Sequence, residues 1–301
     1  MAGQDRIGVR GVLNINKPAG ISSYDVIRRL KPVLEPKRIG HAGTLDPMAS
    51  GVLLVLVNEA TKISRLLMAL DKEYEAEITF GIETDTDDIT GRVLRQAVVP
   101  DISAAELSQF LNGNFLGEIW QVPPRYSALK QEGVPLYRRA RAGMPVEKGA
   151  RRVQVYDIRL AGWEPPVARL SVRVSSGTYV RALARDIGRA LGSAATLSRL
   201  VRTRVGNFML KDGLNLEQVL AGGAELARLL VPVEQALSHL PKLEVSRDTA
   251  IELAEGKRPV WNEAIPADAG LLVAVNRERD FLALVRLRCG VLVPERIIYA
   301  G

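Results

Sequence analysis

One loop of the sequence concentrates features that could support chemistry. The segment His41-Ala-Gly-Thr-Leu-Asp-Pro-Met-Ala-Ser-Gly51 holds a single carboxylate, Asp46, among small residues directly before the apolar run 52–57. Two glycines and a proline favour a compact backbone around that carboxylate. Taken alone, an aspartate before a proline is typical of a turn. A chemical role for Asp46 therefore needs evidence from the rest of the chain.

The composition excludes several classes of site. The one cysteine, Cys289, cannot form an intramolecular disulfide or a cysteine-rich zinc site. The two histidines, His41 and His239, lie far apart in the sequence, so we expect no structural metal. A Ser/His/Asp hydrolase would have to use one of these two histidines. Because 47% of the residues are hydrophobic, the chain can form a packed core and is not disordered as a whole.

The sequence contains no segment suited to a membrane. The longest uninterrupted aliphatic run is the six residues 52–57, whereas a membrane helix needs about 20. Residues 1–18 carry four charged side chains and lack the apolar stretch of a secretory signal. We therefore expect a cytoplasmic protein without a membrane span.

The basic charge of the chain is concentrated in one segment. The net charge is +7, and residues 121–152 hold eight basic side chains against two acidic ones. Prolines and glycines recur through this segment, which predicts a loop or an insertion. Two interpretations stay open, a solvated surface loop and a surface that contacts the phosphates of a nucleic acid.

Hydrophobic periodicity predicts helices and strands in alternation around the Asp46 loop. One helix is predicted to begin after Ser22 or Ser23, with apolar side chains at helical spacing. A capping box formed by Ser103 and Glu106 predicts another. Further helices are predicted at residues 60–70 and 181–191, and strands at 52–57, 73–80, 153–160 and 168–175.

The pattern changes after about Pro241. Ser246 is predicted to cap a short helix that runs through Ala254 and ends at Gly256, and strands are predicted at residues 270–276, 281–288 and 291–298. These elements predict a separate β-rich module of about sixty residues, which is near the lower size limit for independent folding.

Five sequence blocks, taken in order, resemble those of one enzyme family. They are Lys17-Pro-Ala-Gly20; residues 40–53, which contain the Asp46 loop; Lys72-Glu-Tyr-Glu-Ala76 with Phe80-Gly81 and Thr84-Asp-Thr-Asp87; Pro123-Pro-Arg-Tyr-Ser-Ala-Leu-Lys130; and Gly177-Thr-Tyr-Val-Arg-Ala-Leu-Ala-Arg-Asp186. From about Gly11 to Phe208 the chain resembles the bacterial TruB family of tRNA pseudouridine-55 synthases. The tail, which ends Val293-Pro-Glu-Arg-Ile297, resembles the family's PUA module, a small RNA-binding domain.

This resemblance implies a fold and a division of the chain. The fold class is α/β (α+β): a pseudouridine synthase fold with a mixed, largely antiparallel sheet and flanking helices, followed by a small β-rich PUA-like domain. Residues 1–238 would form the catalytic domain, with an RNA-binding insertion at about residues 121–152. Residues 239–301 would form the PUA-like domain.

The same resemblance implies an RNA isomerase. Such an enzyme cuts the N1 glycosidic bond of one uridine in the tRNA T-loop, rotates the base and rejoins it through C5, so it needs no cofactor. Asp46 is then the nucleophile, attacking either C6 of the base or C1′ of the ribose, with Arg181 as its partner. Because a carboxylate attacks only when ionised, we expect Arg181 to lower the pKa of Asp46 and to leave one oxygen free. Tyr74 would stack on the uracil and is the candidate for removing the C5 proton.

The resemblance also implies a set of RNA contacts. His41 would help to fill the gap left by the flipped uridine, Leu200 would pack beneath the target base, and Lys17 would support the loop or the backbone. From the residues alone, the alternatives are a backbone-bonded loop histidine, a core leucine and a surface lysine. The predicted RNA-contacting residues are His41, Lys17, Leu200, Tyr179, Arg125, Lys130, Arg138, Arg139 and Arg141. The expected partner is the T-arm of tRNA, with no protein partner required and a monomeric protein.

Two other functions are compatible with parts of this pattern. A non-catalytic RNA-binding or RNA-folding protein could use the same cleft, although Asp46, Tyr74 and Arg181 together favour catalysis. A glycosidase with an aspartate nucleophile would need a second carboxylate, for which Asp186 is the candidate, and would release free uracil. The acidic cluster at residues 83–88 lacks the spacing of an EF-hand calcium loop, so we interpret it as the polar end of a hairpin.

Overall fold

A ten-stranded sheet organises the larger part of the protein. The computed structural model describes residues 9–126, 130–131, 134–135, 149–222, 228–264 and 270–300. In chain order the strands are β1 Gly11–Lys17, β2 Ile39–Ala42, β3 Ser50–Val57, β4 Lys72–Phe80, β5 Ile82–Thr84, β6 Val93–Gln96, β7 Gly117–Gln121, β8 Lys130–Gln131, β9 Val134–Pro135, β10 Arg151–Glu164, β11 Val167–Val174, β12 Ala195–Val205, β13 Phe208–Met209, β14 Leu214–Asn215, β15 Lys242–Glu244, β16 Leu272–Asn276, β17 Phe281–Arg288 and β18 Val291–Tyr299.

The topology of the large sheet is mixed and largely antiparallel, which confirms the predicted fold class. The path through the sheet is β14-β1-β3-β12-β4-β11-β10-β7, with β2 paired to β3 and β13 paired to β12. Strand β1 runs parallel to β14, and β3 runs parallel to β12. The other neighbouring strands of this sheet are antiparallel. Strands β5 and β6 form a separate hairpin, as do β8 and β9.

The helices flank the sheets of the protein, and three of them begin where the sequence predicts caps, at Ser22, Ser103 and Ser246. The helices are α1 Ser23–Leu34, α2 Ser64–Ala69, α3 Ala104–Phe115, α4 Val180–Ala190, α5 Leu216–Ala221, α6 Val233–Ala236 and α7 Arg247–Ala254. Ser22 and Ser103 each close a capping box, with Asp25 and Glu106 respectively. Among the described residues, none of the helices is both long enough and apolar enough to cross a membrane.

The segment predicted as one helix at residues 60–70 is two shorter pieces. A 3₁₀ helix spans Asn58–Ile63, and α2 follows it. Asn58 adopts the left-handed conformation at a φ of 53°, and the hydroxyl of Thr61 donates to its carbonyl at 2.7 Å. This local bond tightens the first turn, so the prediction of a single α-helix is wrong here.

Strand β4 shows how the sheet separates core from surface. Its side chains alternate, with Tyr74, Ala76, Ile78 and Phe80 buried. These residues belong to a hydrophobic cluster that includes side chains of α1, α3 and α4. The first hydrophobic core therefore lies between this face of the sheet and those three helices.

The last four strands form a second sheet, in the order β15-β16-β17-β18. Alternate residues of β16 point to opposite sides: Leu272 and Ala274 pack in a core with α7, whereas Val273 and Val275 pack with Val12 and other residues of the large sheet. The Lys62 side chain also donates to backbone carbonyls of β18. The module thus has its own sheet and its own core with α7, and it also shares a second core with the large sheet.

Candidate active site

The Asp46 loop, residues 43–51, is tied to the elements around it through its backbone. The hydroxyl of Ser23, in the first turn of α1, accepts from the amide of Leu45 at 2.8 Å and donates to the carbonyl of the same residue at 3.0 Å. The carbonyl of Pro47 accepts from the amide of Gly20 at 2.7 Å. The residues on both sides of the aspartate are therefore fixed in position before any substrate is bound.

Arg181, in the first turn of α4, faces both oxygens of the Asp46 carboxylate. Its Nη2 donates to Oδ1 at 3.0 Å, while its Nε lies 2.8 Å from Oδ2 with the N–H not aimed at that oxygen. The arginine is 5% exposed, and the aspartate side chain is 33% exposed. Within the described part of the chain, Oδ2 accepts no hydrogen bond. The carboxylate is thus oriented by one oxygen and has the other available.

The pKa of Asp46 lies above its ordinary value, which corrects the expectation of a lowered one. Loss of hydration raises this pKa most, and Arg181 opposes it by charge and hydrogen bonding. The nearby Asp88 raises the pKa of Asp46 further, and Lys17 lowers it. Arg181 therefore acts in the predicted direction, but the effect of burial is larger.

The arginines of α4 stand one turn apart and meet the acidic hairpin. The Nη1 of Arg185 donates to Asp87 at 2.7 Å, and the Nε of Arg189 donates to Glu83 at 3.1 Å. Both carboxylates are buried. The acidic cluster does lie at the end of a hairpin, formed by β5 and β6, as predicted. Three of its members are nevertheless buried, because they form an ion-pair ladder along the helix.

Arg181 is the first arginine of that ladder, and it joins the hairpin to the Asp46 loop. The Nη1 of Arg181 lies 3.5 Å from Asp88 Oδ2 and donates to the carbonyl of Thr86 at 2.9 Å. Its Nη2 also donates to the carbonyl of Tyr126 at 3.0 Å. One guanidinium thus links the loop, the hairpin and the start of the basic segment.

Tyr74 lies on the core side of β4, with 8% of its surface exposed. In the sheet register it stands between Val172 of β11 and Arg202 of β12. Its ring belongs to the hydrophobic cluster that also contains Leu45, the residue before Asp46, and Leu200. The tyrosine and the leucine predicted to touch the target base therefore share one apolar cluster with the Asp46 loop.

Lys17 is inside the protein and does not have the surface position of an RNA contact. It is fully buried, and its Nζ donates to the carbonyls of Pro18 at 2.8 Å and Ile21 at 2.7 Å. Burial lowers its pKa to about 8, with Asp46 acting in the opposite direction. Of the alternatives in the sequence, the structure therefore excludes a surface lysine and fits a supporting role.

Two other predicted RNA contacts border the site. His41 is half-buried in β2, and its Nδ1 is buried without a hydrogen-bond partner in the part of the chain that the structure describes. Burial, with a smaller effect of Arg202, lowers its pKa, so its neutral form is favoured. Tyr179 precedes α4, with the guanidinium of Arg151 4.9 Å from the centre of its ring.

The predicted phosphate contacts lie largely outside the described residues. Arg138, Arg139 and Arg141 fall in this undescribed part of the basic segment. Lys130 begins the two-residue strand β8. Arg125 is exposed and lines a cavity of about 270 Å³ that borders the ion-pair ladder.

Sequence reasoning missed four residues that shape the site. Ser23 holds Leu45, Asp88 contacts Arg181, and the side-chain amide of Gln121 bonds both backbone polar groups of Tyr179. A signal for Asp88 was present, since arginines at positions 181, 185 and 189 form a helical stripe that needs acidic partners. The fourth residue is Arg202, whose two-residue spacing from Leu200 on a strand predicts a charged side chain on the core face.

Comparison with known families gives two adjoining matches. The family model described as "TruB family pseudouridylate synthase (N terminal domain)" matches residues 31–180. The model described as "tRNA pseudouridylate synthase B C-terminal domain" matches residues 181–238. Together they include Asp46, Tyr74 and Arg181.

Curated relatives match over nearly the whole chain. The chain is 42% identical over 295 residues to a tRNA pseudouridine synthase B of Chromohalobacter salexigens, covering 96% of this chain and 94% of the relative. It is 40% identical over 302 residues to the protein of that name from Cupriavidus metallidurans, covering 97% and 95%. A solved Cbf5-Nop10-Gar1 complex contains a chain with a TM-score of 0.72 and 26% identity, covering 96% of this chain and 85% of that one.

Proposed function

The chain belongs to the TruB family of pseudouridylate synthases, and on that basis we propose that it isomerises a tRNA uridine to pseudouridine with Asp46 as nucleophile. The target is the T-loop uridine at position 55. The observation that carries this proposal is the Asp46–Arg181 pair, in which a partly exposed carboxylate is oriented through one oxygen by a buried guanidinium.

The reaction needs an ionised carboxylate with an accessible oxygen. Arg181 fixes Oδ1, so Oδ2 is the oxygen that bonds to the uridine. The N1–C1′ bond then breaks, the base rotates, a C5–C1′ bond forms and the bond to Asp46 is released. The proton lost from C5 is balanced by the one gained at N1, whether Asp46 bonds to C6 or to C1′.

Tyr74 and Leu200 form the apolar part of the proposed uridine site. Stacking of a base on an aromatic ring is worth about 1–3 kcal/mol, which offsets part of the cost of taking the base out of the RNA stack. Tyr74 is also the proposed acceptor of the C5 proton. Leu200 packs in the same cluster and supports the base from below.

The remaining contacts hold the RNA. His41, kept neutral by its burial, can occupy the gap left by the uridine without placing a charge in the base stack. The basic segment at residues 121–152 supplies phosphate contacts, and the PUA-like module at residues 239–301 adds a second RNA-binding surface. Such contacts recognise the shape of the T-arm and do not read a long nucleotide sequence.

The proposed enzyme works alone in the cytoplasm. Its relatives in the solved complexes are assembled with other proteins, whereas we infer that this chain acts as a monomer on tRNA without a protein partner. Sedimentation of the active protein at micromolar concentration tests this, with a single species of about 33 kDa expected.

A transcript assay tests the function. An unmodified tRNA transcript incubated with the protein should gain a nucleotide in the T-loop that reacts with carbodiimide but does not change the mass. Release of free uracil would indicate a glycosidase instead. Binding of the transcript without any modified nucleotide would indicate an RNA-binding protein without catalysis.

A further inference from the structure

Arg202 is a buried arginine whose side chain reaches the Asp46 loop. It is 1% exposed and is among the largest fully buried side chains of the described residues. Its Nη2 donates to the carbonyl of Gly43 at 3.0 Å, its Nη1 to that of Thr44 at 3.4 Å, and its Nε to that of Val52 at 2.7 Å. One side chain therefore contacts the first two residues of the Asp46 loop and the residue that directly follows the loop.

The partners of this guanidinium are backbone carbonyls. Within the described residues, no carboxylate lies within 4.0 Å of it, in contrast with Arg181, Arg185 and Arg189 of α4. A buried charge is costly unless hydrogen bonds satisfy it, so the three carbonyl contacts are what stabilises Arg202 in this position. Conversely, these hydrogen bonds hold the carbonyls of Gly43 and Thr44 pointing toward the planar guanidinium.

The backbone of Arg202 also meets the end of the loop. Arg202 and Gly51 are register partners in the parallel pairing of β12 with β3. Gly51 has a φ of 104°, and a Cβ at this position would lie 2.2 Å from the carbonyl oxygen of Arg202. The last residue of the loop, Gly51, therefore packs directly against the main chain of Arg202. The carbonyl of the first residue, Gly43, accepts a hydrogen bond from the side chain of Arg202.

We propose that Arg202 is a positioning residue for the reaction: by holding both ends of the Asp46 loop, its guanidinium fixes the loop conformation in which Asp46 meets Arg181. This inference rests on the proposed function for its kinetic consequence. Its structural part, the clamping of residues 43–52, stands on the contacts alone. Neither Asp46 nor the substrate needs to touch Arg202 for this role.

An arginine suits this task better than a lysine. A guanidinium offers five N–H donors in a fixed plane, so it can bond three carbonyls that lie in different directions. A lysine ammonium keeps the charge but is a compact point at the end of a flexible chain. The substitution Arg202→Lys therefore removes the geometry of the clamp and preserves its charge.

Two parallel substitutions in one strand test the proposal. Arg204→Lys is the matched control, because Arg204 lies two residues along β12 and contacts Glu73 and the carbonyl of Gly206 instead of the Asp46 loop. For both variants and the wild type we would measure kcat, KM and Kd for an unmodified tRNA transcript. Amide hydrogen exchange of the peptide that covers residues 43–52 would be measured in the same proteins.

For Arg202→Lys we expect kcat to fall about 100-fold, because a small misplacement of a reacting group has an effect of that size. Its Kd should be unchanged, and the loop amides should exchange about tenfold faster. Arg204→Lys should match the wild type in kcat and in loop exchange. A folded Arg202→Lys variant with wild-type kcat, or with unchanged loop exchange, would overturn the proposal.

A failure of the proposed function gives a different pattern. If the wild type forms no pseudouridine, the function is wrong, and the exchange comparison still decides whether Arg202 holds the loop. If Arg202→Lys does not fold, native-state hydrogen exchange of the wild type tests whether Arg202 holds the loop. The amides of Leu45 and Ala49 should then exchange with the same opening free energy as the amides of β12. An opening free energy of these loop amides far below that of β12 would overturn the proposal.

Discussion

Arg181 approaches the two oxygens of Asp46 with two nitrogens, but only the Nη2 contact at 3.0 Å is an aligned hydrogen bond. The Nε contact at 2.8 Å is an ion pair without that alignment. A carboxylate with both oxygens tightly bonded would be a poor nucleophile, and one with neither would be poorly oriented. The observed pairing satisfies both demands.

Substitution of two neighbours of Asp46 should shift the pH dependence of the rate in opposite directions. Activity requires the ionised form, so the rate falls as the pH drops through the pKa of Asp46. Asp88 raises this pKa and Lys17 lowers it. Asp88→Asn should therefore shift the acid limb of the rate to lower pH, and Lys17→Met should shift it to higher pH.

Single-turnover rates on a tRNA transcript between pH 4.5 and 8 would measure these shifts. Asp85→Asn is the control, because Asp85 lies in the same hairpin but pairs with Arg92, and its variant should keep the wild-type profile. Shifts of the Asp88 and Lys17 variants in the same direction would show that the acid limb does not report on Asp46.

The hydroxyl of Ser23 should contribute to both stability and rate. Ser23→Ala leaves the buried amide and carbonyl of Leu45 without their partner, which costs about 1–3 kcal/mol of unfolding free energy. Because the loop is loosened next to Asp46, kcat should also fall. Urea unfolding and steady-state kinetics would measure the two effects.

The adjacent residue provides the comparison for this effect. Ser22→Ala removes the N-cap of α1 and should cost about 1 kcal/mol of stability without lowering kcat. Equal kcat values for the Ser22 and Ser23 variants would argue against a role of the loop contacts in catalysis.

The basic segment should carry part of the salt dependence of tRNA binding. Replacing Arg138 and Arg139 together by alanine should weaken binding and reduce the slope of log K against log[salt] by about 1 for each phosphate that is no longer neutralised. Filter binding at several salt concentrations would measure the slope. Arg169 and Arg199 flank Glu77 in the sheet register and form the control pair, whose replacement should leave the slope unchanged.

Much of the architecture follows from local patterns in the sequence. The capping boxes at Ser22 and Ser103, the alternation along β4 and the strands after Pro241 are all predictable, because each depends on residues a few positions apart. The Asp46 and Arg181 pairing is expected from the resemblance to a family. The geometry adds which oxygen of the carboxylate the arginine binds.

The parts that the sequence does not predict depend on contacts between distant residues. The pKa of Asp46 is raised by burial, which is a property of the assembled fold and not of its neighbours in the sequence. The acidic cluster has the pattern of a surface hairpin, and only the stripe of arginines on α4 packed against it explains its burial. Likewise, nothing local to Arg202 reveals that its partners are carbonyls about 150 residues away.

The central claim is that the carboxylate of Asp46 makes the bond to the uridine, and the substitution Asp46→Asn tests it most directly. The variant keeps the size and polarity of the side chain but has no nucleophilic oxygen anion. With a labelled, unmodified tRNA transcript, we expect pseudouridine formation to fall by about 10⁴-fold or more, while the Kd for the transcript stays close to that of the wild type. Turnover of Asp46→Asn at the wild-type rate would contradict the account.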